Sequence, residues 1–95
     1  MVDHAPPTFD EVVERQRAAN QAHNRVEELR HSLGPPTEHK WTKEQSVTYE
    51  TAWRAWRDLD REAQATLAEY ATERGRPRQE VQDDVATAVR SRDPE

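Results

Sequence analysis

Apolar residues return at steps of three and four along three stretches of the chain, a spacing that predicts three helices and no strand. The first stretch opens at Thr8-Phe9-Asp10-Glu11, a capping-box pattern in which the threonine oxygen accepts from the third helical amide while Glu11 reaches back. Prolines 6 and 7 discourage helix upstream, so residues 1–7 are expected to form a disordered tail. From residue 9 the pattern runs to Leu33. Val12, Gln16, Ala19, His23, Val26, Arg30 and Leu33 form one line, with Phe9, Val13, Ala22 and Leu29 beside it. Gly34 stands where a left-handed cap is wanted, and Pro35-Pro36 forbids continuation.

After a loop ending at Trp41, Thr42-Lys43-Glu44-Gln45 offers a second capping box. The pattern then runs unbroken over 43–74, with Tyr49, Ala52, Trp53, Trp56, Leu59, Ala63, Leu67, Tyr70 and Ala71 within one face. Such a helix is about 48 Å long. A compact globule of this length has a radius of gyration of only about 12–13 Å, so the hairpin is expected to be elongated. Gly75 reads as the next cap and Pro77 as the first position of a third helix over 77–91. Val81, Val85, Ala88 and Val89 supply its narrow stripe, and residues 93–95 are expected to fray. The expected fold is therefore all-α: one domain over 8–92, a long antiparallel two-helix hairpin with a short third helix packed back against it.

Composition changes this picture in one respect. Of the 95 residues 35% are charged and only 33% apolar, many of the latter alanine. So thin a core is expected to leave only about 3–5 kcal/mol of net stability. A chain in that position gains from completing its core with a second copy, giving a dimeric helical bundle, or with a protein partner. Trp53, Trp56, Tyr49, Leu59 and Leu67 are the residues expected to carry that contact, with Ala52 and Ala63 permitting close helix approach. The competing expectation places both tryptophans inside the hairpin, against Val26 and Ala22.

A net charge of −5, with both signs mixed along the chain, does not favour broad binding to nucleic acid or to anionic membranes. Absence of cysteine excludes disulfides, thiolate nucleophiles and thiolate metal ligands. No apolar run approaches the ~20 residues of a membrane span, and the first residues lack the pattern of a secretory signal. The expectation is a cytoplasmic protein. With two glycines in all, there is no phosphate-cradling loop, and Ser32 and Ser46 have no evident base. No catalytic residue, cofactor or small-molecule ligand is expected.

Two strings invite sharper readings. His23, Glu27 and His31 recur every four residues and Glu28 precedes His31 by three, a spacing that projects ligands from one helical face. A metal site needs further ligands from facing helices, and no second Glu-x-x-His exists, so no metal is expected here. Arg74-Gly75-Arg76-Pro77-Arg78 resembles the core of an AT-hook. That resemblance implies an extended segment whose Arg74, Arg76 and Arg78 enter the narrow minor groove of A·T-rich DNA, where negative potential is enhanced. Helix punctuation independently wants the same Gly and Pro, and Glu69, Glu73, Glu80, Asp83 and Asp84 crowd the segment. A DNA-associated regulator is thus the alternative to an interaction module, and a metal-binding bundle a third.

Overall fold

A computed structural model describes residues 5–35 and 40–92. Helix α1 spans Phe9–Leu33, α2 Lys43–Arg74 and α3 Arg78–Arg92, with no strand among the described residues. Most of the expected tail, the expected fray at 93–95 and part of the loop (36–39) lie outside the described residues.

The caps follow the sequence closely, with two departures. Thr42 and Gln45 form the complete reciprocal box at the start of α2, at 3.1 and 2.8 Å. At α1, Thr8 accepts from the Glu11 amide at 3.1 Å, but the Glu11 carboxylate takes the Thr8 hydroxyl at 3.3 Å rather than the backbone amide. Gly75 adopts the left-handed conformation, and the Gly75 and Arg76 amides donate to Thr72 and Ala71, the double bond of a Schellman turn. Gly34 also has positive φ, but its ψ of 169° is extended rather than left-handed helical. The reason is Pro35, whose ring crowds the preceding residue out of helical ψ.

Burial is concentrated at one end. Val12 and Val13 of α1 meet Leu67, Tyr70 and Ala71 of α2 and Val81, Val85 and Val89 of α3 in a single cluster, with Phe9 and Ala88 packed against it. Phe9 and Tyr70 touch with ring centroids 5.9 Å apart. Ion pairs brace the same end: Arg92 reaches Asp10 at 2.8 Å, and Arg15 of α1 pairs with Glu62 of α2. Farther along, α1 and α2 bury only Ala19, Val26 and Ala63 between them. The radius of gyration is 16.7 Å and the longest dimension 49 Å, so the molecule is elongated as the length of α2 required. At 1.5 Å per residue α3 is about 22 Å long, too short to cover more than half of α2.

Candidate interaction surface

This mismatch in helix length leaves the far half of the hairpin as a two-helix arm. There the apolar face of α2 has only α1 to pack against, and α1 offers Ala22, Val26, Leu29 and Leu33 in alternation with polar groups. Large aromatic side chains are consequently half-buried rather than buried. Trp56 leans on the His23 ring, centroids 4.7 Å apart. Trp53 is 37% exposed, with the Arg57 guanidinium 4.9 Å from its ring centre. Val47 is 53% exposed. Trp53, Trp56, Arg57, Asp60, Arg61 and Gln64 line an open cleft of about 520 Å³ on this face.

The arm's tip is organised by Trp41. Its indole N–H donates to the Gly34 carbonyl at 2.9 Å, closing the loop, and its ring meets Tyr49 at 5.1 Å. Arg30 donates to the Tyr49 hydroxyl at 3.4 Å. That bond, and then the charge of Glu27, raise the Arg30 pKa above its ordinary value. Trp41, Tyr49, Glu27, Arg30 and His31 line a cleft of about 820 Å³ here.

Of the five residues expected to carry a contact, four lie on the arm or at its edge: Tyr49, Trp53, Trp56 and Leu59 are half-buried or exposed. Leu67 is different. It is wholly buried in the chain's own three-helix core, because α3 covers the stripe of α2 from that point on. Ala63 is likewise buried, while Ala52 stays partly open.

The arginine corner is folded as a turn between α2 and α3, not as an extended strand. Arg74 lies 5.0 Å from the centre of the Tyr70 ring. Arg76 is clamped by Asp84 at 2.7 Å and Glu80 at 2.8 Å, and these hydrogen bonds, Asp84 first, raise its pKa above the ordinary value. Arg78 donates to Gln64 at 2.8 Å. All three guanidinium groups thus have intramolecular partners that entry into a DNA groove would displace.

On α1, His23 is engaged with Trp56, while His31 lines the cleft at the tip and Glu27 pairs with Arg30 at 3.5 Å. Among the described residues no three acidic or histidine side chains converge to hold a metal ion. Nor is any described helix long and apolar enough to cross a membrane. On α2, Glu50 pairs with Arg54 at 3.6 Å and Asp58 with Arg61 at 4.0 Å.

No protein-family model, curated protein or solved structure matches the chain. Sequence reasoning missed the place of Asp60 and Gln64 beside the tryptophans. The available signal was their spacing, with Trp53, Arg57, Asp60 and Gln64 advancing by four, three and four residues.

Proposed function

We propose that the chain is a non-enzymatic helical interaction module whose contact surface is the arm, with Trp53 and Trp56 at its centre and Tyr49 and Leu59 at its margins. One observation carries this: Trp53 and Trp56 lie where no third helix covers them, outside the closed core that five valines form with Leu67, Tyr70 and Ala71. A chain with so few large apolar residues gains most by burying them (about 25 cal/mol per Å²), and an arm that leaves them open is suited to burial against another protein. Tryptophan beside arginine is the composition of interface hot spots. The absence of cysteine suits a cytoplasmic setting. The intramolecular pairing of Arg76 and Arg78 supports this reading over a DNA-binding corner.

The test is site-specific photo-cross-linking from position 61, at the edge of the cleft, with position 72 on exposed α2 surface at the closed end as control. The expected outcome is a discrete protein adduct from position 61 alone, lost when Trp56 is replaced by Ala. No adduct, or equal adducts from both positions, refutes the reading.

A further inference from the structure

The open cleft carries an unusual arrangement of charge. Trp53, Arg57, Asp60 and Gln64 follow the four-three spacing of a coiled-coil seam. The same stripe runs on through Leu67 and Ala71, which the chain buries beneath its own α3. One continuous seam is therefore covered at its C-terminal end and open from Gln64 back to Trp53.

Within the open part, Arg57 and Asp60 are opposite charges one turn apart. Neighbouring charges on α2 satisfy one another along the helix, Glu50 with Arg54 and Asp58 with Arg61. Arg57 and Asp60 do not. Among the described residues neither has an ion-pair partner, and Arg57 is instead held over the Trp53 ring.

A two-fold interface must be complementary to itself, and this stretch is so in only one direction. Laid antiparallel on a copy of itself, the series Trp53, Arg57, Asp60, Gln64 faces Gln64, Asp60, Arg57, Trp53. Each arginine then meets an aspartate and each indole lies across an amide. Laid parallel in register, arginine would face arginine and aspartate would face aspartate, a repulsive arrangement. We infer that the cleft is filled by the same cleft of a second copy, two α2 helices crossing antiparallel with Arg57 and Asp60 paired reciprocally across the two-fold axis. The inference rests on the interaction-module reading and names its partner. Residues 53 to 64 span about 16 Å of helix. The contact is thus at the small end of specific interfaces, below roughly 1,200 Å², and the association is expected to be weak.

The experiment is molar mass by light scattering from about 1 µM to about 1 mM, bracketing a weak dimer, with helicity checked by circular dichroism. The wild type is expected to rise from 11.1 kDa toward twice that value. Arg57→Asp alone and Asp60→Arg alone each place like charges face to face, and each should weaken the dimer at least tenfold. Mixing the two variants restores both pairs, so an equimolar mixture should dimerise again although neither component does, which excludes misfolding as the cause. Failure of the mixture to recover overturns the reciprocal pairing. A wild type that stays monomeric throughout overturns the second-copy inference alone, since adducts from position 61 would then report a different protein. A dimer indifferent to both reversals and to Trp53→Ala overturns the inference and the module reading together.

Discussion

Leu67→Ala tests the placement of the core most directly. Leu67 is wholly buried where all three helices meet, against valines from α1 and α3. Truncating a buried leucine to alanine costs about 2–5 kcal/mol, the upper part of that range applying where neighbours cannot collapse into the gap. The β-branched valines around Leu67 are stiff and held by two separate helices, so about 3 kcal/mol or more is expected here. A domain of this size loses about 4–8 °C of melting temperature per kcal/mol, giving a fall of about 12–24 °C. Because the thin core leaves only about 3–5 kcal/mol in total, the variant should be substantially unfolded at 37 °C. Val47→Ala is the matched control: at 53% exposure it should change stability by less than about 0.5 kcal/mol. The assay is urea denaturation followed by circular dichroism at a concentration where the chain is monomeric. A loss below about 1 kcal/mol for Leu67→Ala, or an equal loss for Val47→Ala, would refute a core confined to one end.

Further expectations follow from the same structure. Native-state hydrogen exchange should be fastest on the arm, over 43–56 of α2, and slowest at 63–71 and 81–89, because local opening costs least where few apolar contacts are lost; uniform protection along α2 would contradict this. Gly75→Ala should destabilise by about 1–2 kcal/mol through backbone conformation alone, since a Cβ there would meet no atom within 4 Å; an unchanged denaturation midpoint would show that α2 does not end in a left-handed cap. Thr42→Ala removes half of the complete capping box and should cost about 0.5–2 kcal/mol, with faster amide exchange confined to the first turn of α2. A·T-rich duplex at low salt should not be retarded on a gel, because the arginine corner is occupied internally; retardation abolished by Arg76→Ala would instead establish the DNA reading.

The helix limits were legible in the sequence because they depend on local chemistry. Thr8 and Thr42 supply oxygens to orphan amides, and glycine at 34 and 75 permits positive φ. Proline at 35 and 77 stops or starts a helix through its own ring. Each device acts within a few residues, so reading the neighbours was sufficient to place α1 and α2 at their observed bounds. The elongated hairpin followed from arithmetic on the length of α2. The periodic face of α2 was equally plain, but periodicity reports only that a face is apolar and not what lies against it. That was decided by the tertiary structure, through the direction and length of α3. α3 packs against Leu67, Tyr70 and Ala71 and its far end meets Asp10 at the start of α1, so Trp53 stays outside the cluster. Residues of one stripe therefore divided into core and open surface, and Leu67 parted from the tryptophans it resembles in spacing. The arginine corner divides the same way. Its Gly and Pro were interpretable alone, but the clamp of Arg76 by Glu80 and Asp84 exists only once α3 has set its direction. Local sequence determines where a helix begins and ends; burial and ion pairing depend on which helices meet, and those contacts join residues far apart in the chain.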